Sequence, residues 1–489
     1  MSLPPRVLDQ TSLPLVAAIA HQAQRPHAPF YTPGHKQGQG ASLALQTLLG
    51  TAALQADLPE LLSIGNLFVR DGAIATAQNL AADAFGAEQT WFLVNGSSGG
   101  LIAAILATCA PGDKLILPRN GHQSLITGLI FTGAQPIFVS PDYDVERDLA
   151  YGITPAAVEA ALQQHPDAKA VLAIYPTYHG IGCDLGAIAA IAHRHNCPLL
   201  VDEAHGAHFG FHPDLPPTAL ELGADLSVQS THKVLGALTQ AAMLHVQGDR
   251  LDRDRLDRAL QFVQSTSPNY LLLASLDAAR QQMACQGEAQ LAATLALAAA
   301  ARSQLIELPQ LRLLAPPSSP TPGFTYHDPT RLTVLLNDWG IDGFTADQQL
   351  DAQFGVVCEL PMLQHITFII TLGNRTADIE RLVTGFAHLQ APTPTLPPPR
   401  IAPLTTIPVA RLTPRAAHFA RPQSVPVAQA IGQISAALIC PYPPGIPVLV
   451  PGEVITAEAI AYLQAIQQQG GIITGSRDPD LQSFAIVSE

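Results

Sequence analysis

The chain has 489 residues, a formal net charge of −14, and 47% hydrophobic but only 13% charged residues. This composition excludes an intrinsically disordered protein and allows two or three domains with large buried cores. The acidic balance, without any Lys/Arg-rich run, argues against binding to nucleic acid or to an anionic membrane. The N-terminal residues lack the apolar core of a signal peptide, and no two cysteines form a Cys-x-x-Cys pair. We therefore expect reduced thiols and a cytoplasmic location.

Residues 1–45 are predicted to form an N-terminal arm with one helix at 13–23, followed by extended, proline-rich chain. From 46 to 300, strand patterns alternate with helix patterns, which predicts a large α/β domain with a mostly parallel sheet and helices on both faces. The predicted strands are 91–94, 114–117, 136–139, 170–174 and 199–201, and the predicted helices include 154–164 and 185–195. The apolar segment 291–301 is too short to span a bilayer, so we expect a buried helix there.

Residues 301–390 are predicted to form a smaller α+β domain. Its expected strands are 331–337, 356–359 and 367–371, and its expected helix is 376–389. Residues 391–403 contain the run Pro397-Pro398-Pro399 and are interpreted as a semi-rigid linker. Residues 404–489 then form a last small domain.

Three polar segments follow buried strands in chain order. Backbone N–H groups at the start of the helix after 91–94, together with Ser97 and Ser98, would make a seat for a phosphate. Asp202 ends a second strand and Lys233 follows a third, where the lysine could hold an aldehyde as a Schiff base. The aspartate would keep a pyridine nitrogen protonated, so this order predicts pyridoxal 5'-phosphate (PLP) as cofactor. The alternatives are a surface lysine after a strand and, for Asp202, a helix N-cap.

Several longer segments carry a resemblance to a known family. They begin at Tyr31, Phe92, Pro118, Pro176, Val201, Ser230, Tyr270 and Tyr442, and the last runs to the Pro451-Gly452-Glu453 motif. In this order they resemble the bacterial ornithine/lysine/arginine decarboxylase family. The resemblance implies a PLP-dependent fold of the aspartate-aminotransferase type. The length is similar to that of the short arginine-decarboxylase branch, without the extra N-terminal domain of the long enzymes.

The resemblance implies PLP-dependent decarboxylation of a basic amino acid, with arginine to agmatine first and lysine or ornithine next, in polyamine metabolism. It also implies a homodimer or larger homo-oligomer with shared active sites, in which the segment 265–268 reaches the partner's phosphate. Because the same fold hosts other chemistry, transamination or aldol cleavage is an alternative. A catalytically drifted subunit that binds PLP is a further one.

The resemblance also assigns roles to residues. His122 is expected to stack on the cofactor ring, and His205 to lie near the cofactor. Lys233 and His232 are the expected proton donors after loss of carbon dioxide. The residues expected to surround the cofactor phosphate are Ser97, Ser98, Ser230 and His232. No metal site is expected.

The far cationic group of the substrate needs an anion. Glu453 is the first candidate and Glu359 the second, and the alternative for both is an ordinary surface or capping carboxylate. The chain departs from the family pattern at positions outside the expected cofactor shell. These are Gln123, the segment 64–67, Ala416, Gln429 and Gln433. The first of them follows the stacking histidine, where lysine often stands, and the last two motivate the drifted-subunit alternative.

Overall fold

The computed structural model describes residues 8–309, 311–389, 407–442 and 445–488. The predicted linker 391–403 lies outside the described residues. The chain divides into two compact units. The first contains Met1–Ala107 and Val201–Leu291, and the second contains Thr108–Leu200 and Ala292–Glu489.

The α-helices of the described residues are α1 (Pro14–Gln24), α2 (Leu43–Ala56), α3 (Gly72–Ala84), α4 (Gly96–Thr108), α5 (Gln123–Thr132), α6 (Pro155–Gln164), α7 (Leu185–Arg194), α8 (Thr231–Val234), α9 (Arg253–Val263), α10 (Tyr270–Ile306), α11 (Gly343–Phe354), α12 (Thr376–His388), α13 (Pro414–Phe419), α14 (Val427–Ala430) and α15 (Ala457–Gln468).

The strands in the same described ranges are β1 (Gln89–Leu93), β2 (Lys114–Pro118), β3 (Gln135–Val139), β4 (Tyr143–Asp144), β5 (Leu149–Ala150), β6 (Ala170–Ile174), β7 (Ile181–Gly182), β8 (Leu199–Asp202), β9 (Leu226–Gln229), β10 (Ala242–Val246), β11 (Arg312–Leu313), β12 (Tyr326–His327), β13 (Arg331–Leu335), β14 (Leu360–Pro361), β15 (His365–Ile369), β16 (Pro422–Pro426), β17 (Cys440–Tyr442), β18 (Ile472–Thr474) and β19 (Ser483–Val487).

In the first unit, β10 pairs antiparallel with both β1 and β9. The strands β1 and β9 therefore run in the same direction, and β8 neighbours β9. Every residue of β9 and β10 is buried, including the polar Ser227, Gln229 and His245. The sheet was predicted to be mostly parallel, and β10 is the strand of this unit that runs in the opposite direction. Polar residues follow the ends of β1, β8 and β9, where ligands bind in such sheets.

Helix α4 packs closely on the strands of the first unit at Gly100. A Cβ atom at this position would lie 2.6 Å from Leu93 Cδ1 and 2.7 Å from Val228 Cγ1. Real Cβ atoms do not approach other carbons so closely, because interiors are already close-packed. The glycine therefore allows α4 to start directly above β1 and β9, which places its first turn at the end of those strands.

The N-terminal arm is anchored on α10. Asp277 and Arg280 are fully buried and form an ion pair with 2.5 Å between Oδ1 and Nη2. Asp277 also accepts the backbone N–H of Leu15 at 3.0 Å, and Arg280 donates to the carbonyls of Gln10 and Ser12. The predicted helix at 13–23 is confirmed as α1, whose residues Leu15 and Ile19 are buried.

In the second unit, β2 pairs in parallel with β3 and with β6. A separate antiparallel sheet has the order β11-β13-β15-β14, and its core includes Leu332, Val334, Ile366 and Phe386. The C-terminal part contributes the pairs β16–β19 and β17–β18, with a core that includes Leu449, Leu463 and Phe484.

One strand prediction was wrong. The expected strand at 356–359 is not formed, because the Cys358 N–H donates to Asp347 Oδ1 and pairing with β15 begins at Leu360, in the short β14. The helix expected at 291–301 is confirmed as part of the C-terminal half of α10, a helix of 37 residues, although several of its residues are exposed. Within the described ranges, no helix is long and apolar enough to cross a membrane.

Candidate active site

Lys233 lies in the short helix α8, directly after β9. Its Nζ atom is 3.0 Å from Nε2 of His205, which is a hydrogen-bonding distance. Lys233 is half-buried, whereas His205 is only 4% exposed. The loop after β8 thus supplies a buried imidazole to the amine that follows β9.

Asp202 ends β8 and is a buried carboxylate of this region. Its Oδ1 accepts the Ala204 N–H at 3.2 Å. Burial raises the pKa of the Asp202 carboxyl, and the positive charge of Lys233 and the Ala204 hydrogen bond offset part of that rise. A buried carboxylate is costly without charged or N–H partners, so this site is suited to binding a further cationic N–H group.

Ser97 and Ser230 bring the ends of two elements together. The Ser230 hydroxyl donates to Ser97 Oγ at 2.7 Å, and Ser230 is 1% exposed. Ser97 and Ser98 lie in the first turn of α4, where backbone N–H groups have no carbonyl partner within the helix. Hydroxyls beside a helix N-terminus form a donor set of the kind that binds phosphate.

His232 is held by the loop that leads into β10. Its Nδ1 atom lies 3.0 Å from the Ala241 carbonyl, to which its backbone N–H also donates. Burial lowers the pKa of His232, with a smaller contribution from the charge of Lys233. The carbonyl accepts from Nδ1–H, so the neutral ring has Nε2 as its acceptor.

A buried polar network lies below this site and was not foreseen from the sequence. Glu203 is 0% exposed, and its carboxyl accepts from Ala219 N–H at 2.8 Å, Ser227 Oγ at 2.5 Å and Gln229 Nε2 at 3.0 Å. Gln229 in turn accepts from His245 Nε2 at 3.1 Å. Burial raises the pKa of Glu203 to about 7. The network connects Glu203, which directly follows Asp202, to β9 and β10, and so helps to hold these strands in place below the site.

His122 belongs to the second unit and is the N-cap of α5. Its Nδ1 accepts from the Ser124 N–H at 3.2 Å and lies 2.9 Å from Ser124 Oγ. Ser124 therefore defines the orientation of the His122 ring. The predicted stacking role of His122 toward the cofactor stays a prediction.

Glu453, the first candidate for binding the substrate's cationic group, has a cationic partner within the second unit. It is 1% exposed, and its two oxygens accept from Nε and Nη2 of Arg119 at 3.1 and 2.8 Å. Burial raises the pKa of the Glu453 carboxyl, although the Arg119 charge acts in the opposite direction. The sequence offered one signal for Arg119, namely a charged residue directly after a buried strand.

Glu359, the second candidate, is exposed beside β14. Its backbone N–H donates to the Thr367 carbonyl at 3.0 Å. Burial lowers the pKa of the buried Arg331, and the charges of Asp328 and, to a smaller extent, of Glu359 act in the opposite direction. The structure therefore places seven predicted site residues in the first unit and three others in the second. The first group is Ser97, Ser98, Asp202, His205, Ser230, His232 and Lys233, and the second group is His122, Glu359 and Glu453.

Comparison with known proteins gives consistent matches over nearly the whole chain. The family described as Orn/Lys/Arg decarboxylase matches residues 13–378 with its major domain and residues 404–476 with its C-terminal domain. An arginine decarboxylase of Bacillus subtilis is 37% identical over 485 residues, which cover 99% of this chain and 99% of that protein. An arginine decarboxylase of Bacillus anthracis is 36% identical over 485 residues, covering 99% and 98%.

Among solved structures, a lysine decarboxylase of Francisella novicida superimposes with a TM-score of 0.82 at 22% identity, covering 97% of this chain and 81% of that one. This likeness confirms the predicted fold class, a large, mostly parallel α/β sheet with smaller α+β units on the C-terminal side. The sequence matches confirm the predicted resemblance. The chain belongs to the Orn/Lys/Arg decarboxylase family.

Proposed function

We propose that this protein is a PLP-dependent arginine decarboxylase that converts arginine and one proton to agmatine and carbon dioxide. The single observation that carries the proposal is the grouping of a lysine, a buried aspartate and a serine-lined helix start after the ends of β9, β8 and β1. Identity of 36–37% to two arginine decarboxylases over nearly full length supports arginine as the substrate ahead of lysine or ornithine.

The donor set fits each end of PLP. Lys233 is an amine that can capture an aldehyde, and the buried Asp202 matches a protonated ring nitrogen. Ser97, Ser230 and the first turn of α4 match a phosphate dianion. When bound, PLP supplies an electron sink for the electrons left at Cα by the departing carboxylate.

The chain's own residues would then place charge and protons. Asp202 would hold the ring nitrogen in its protonated form, because its buried carboxylate gains a cationic partner in doing so. Lys233 and His232 would deliver the proton that Cα needs after carbon dioxide leaves. His205, 3.0 Å from the Lys233 Nζ, would orient that amine. One proton is taken up in each turnover.

The substrate's guanidinium is proposed to bind a carboxylate. Glu453 keeps its predicted role only if arginine substrate displaces Arg119, since both its oxygens accept from that side chain. Glu359 is exposed beside β14, so an incoming guanidinium can approach it from solvent, whereas Glu453 is buried. This difference in access favours Glu359.

We also propose a homodimer. The first unit exposes several large apolar side chains, and exposed apolar surface is typical of sites where a protein binds another chain. The exposed residues are Phe30, Leu43, Leu48, Leu62 and Phe262. The segment 265–268, predicted to reach the partner's phosphate, follows the last of these along the chain.

Product analysis tests the substrate directly. The purified protein with PLP is incubated separately with arginine, lysine and ornithine, and amine products are measured with released carbon dioxide. We expect agmatine and carbon dioxide in equal amounts from arginine. A keto-acid product without carbon dioxide would instead favour transamination, and cofactor uptake without any turnover would favour a drifted subunit.

A further inference from the structure

The loop between β2 and α5 carries both Arg119 and His122. The Arg119 backbone N–H donates to the Val139 carbonyl at 2.9 Å, which ties the start of the loop to β3. The Arg119 guanidinium lies over the Phe138 ring, with 5.4 Å between Cζ and the ring centroid. The loop therefore leaves the sheet in a defined direction, with its arginine held on one side by an aromatic ring.

The N–H groups of the Arg119 guanidinium form hydrogen bonds with the C-terminal part of the chain. Besides its two bonds to Glu453, it donates to the Pro447 carbonyl at 2.7 Å and to the Val448 carbonyl at 3.2 Å. Glu453 Oε2 also accepts the Val450 N–H at 3.1 Å. Planar guanidinium groups bind carboxylates most strongly in this bidentate form, and the two carbonyls accept further donors of the same group.

A second contact reaches the same loop from the same segment. The Gln123 backbone N–H donates to the Gly445 carbonyl at 3.0 Å. Gly445 has a φ of +79°, and a Cβ atom built there would lie 3.4 Å from both Cδ2 and Nε2 of His122. Gly445 thus lies beside the Cδ2 and Nε2 atoms of the His122 ring, whereas Ser124 contacts its Nδ1 atom.

We propose that the segment 445–453 positions His122, with Arg119, Gly445 and Glu453 as positioning residues for the imidazole. The inference rests on the proposed function and on the predicted stacking of His122 on the PLP ring. In this proposal Glu453 positions His122 through Arg119 and does not contact the substrate directly. The ion pair supports this role because buried pairs add little net stability but can specify one arrangement.

The test compares Glu453→Gln with Arg415→Met in the full-length protein. Arg415 is a matched control, because it also joins the C-terminal part to α5, through the Ile130 and Phe131 carbonyls, without touching the Arg119–Gln123 loop. Gly445→Ala is a second variant in the segment 445–453, and it keeps both members of the Arg119–Glu453 ion pair. It adds a methyl group beside the His122 ring at a strained backbone position.

The first readout needs no cofactor. The His122 ring signal is followed by NMR of histidine-labelled apoprotein and assigned with His122→Ala. We expect Glu453→Gln and Gly445→Ala to shift this signal, and Arg415→Met to leave it in place. An unshifted His122 signal in both Glu453→Gln and Gly445→Ala, or an equal shift in the Arg415→Met control, would overturn the positioning role.

The second readout uses the PLP-loaded enzyme. We expect Glu453→Gln to release PLP faster and to lower kcat roughly 10-fold to 100-fold, since a misplacement of about 1 Å has effects of this order. In the His122→Ala background, Glu453→Gln should change PLP release and kcat little further. A raised KM for arginine with unchanged cofactor release, additive with His122→Ala, would show that Glu453 binds substrate directly. A wild-type chain that takes up no PLP would contradict the proposed function alone, because the apoprotein readout remains.

Discussion

Substitution of Glu203 by glutamine should change how stability depends on pH. Glu203 is fully buried, and its pKa is raised from 4.5 to about 7. Between these two values the folded protein keeps a proton that the unfolded chain has released, so the free energy of unfolding falls as pH rises. One pKa unit corresponds to about 1.4 kcal/mol, so the fall from below pH 4.5 to above pH 7 is roughly 3 kcal/mol.

The assay is urea unfolding of the apoprotein at several pH values between about 3.5 and 8, a window that brackets the two pKa values of Glu203. Glu203→Gln removes the titrating group, although its amide meets the donor Nε2 of Gln229 and costs some stability at every pH. The difference in unfolding free energy between variant and wild type should therefore shift by about 3 kcal/mol in favour of the variant as pH rises. Exposed Glu307→Gln serves as control and should show no such shift. A pH-independent difference for Glu203→Gln would refute the reasoning.

Three further predictions concern packing and chemistry. Gly100→Ala should destabilise the protein by about 1–3 kcal/mol, measured by chemical unfolding, because the new methyl group overlaps Leu93 and Val228; unchanged stability would contradict this packing. Arg280→Met should cost about 3–5 kcal/mol by leaving Asp277 buried without its cation, and limited proteolysis should then cut the N-terminal arm faster than in wild type. Asp202→Ala should still capture PLP on Lys233, seen as visible absorbance, while turnover falls by several orders of magnitude; a variant with near wild-type turnover would contradict the role of Asp202.

The sequence was sufficient for the parts of the fold that follow from local pattern. The strand predicted at 170–174 coincides with β6, because five consecutive apolar residues between turns leave few other structures. The positions of Asp202 at the end of β8 and of Lys233 shortly after β9 follow from the same pattern. Their approach to one another also follows, since the ends of neighbouring strands meet at one edge of a sheet.

What the sequence could not predict depends on contacts between distant residues. Arg119 and Glu453 are 334 positions apart, so no local pattern announces that they form one ion pair. Glu203 follows Asp202 directly, yet its partners lie on β9 and in the segment before it. The missing strand at 356–359 has the same cause, because the side chain of Asp347 takes a backbone N–H that the pattern assigned to a sheet. The predicted domain boundaries stay a prediction.

The most direct test of the proposed active site is to locate the lysine that carries the cofactor. The wild-type protein is loaded with PLP, reduced with borohydride, digested and analysed by peptide mass spectrometry, with Lys233→Ala treated in parallel. We expect the pyridoxyl group on Lys233, and its loss together with nearly all decarboxylation in the variant, since covalent capture and proton delivery are removed together. A pyridoxyl group on any other lysine of the wild-type protein would contradict the assignment of the site.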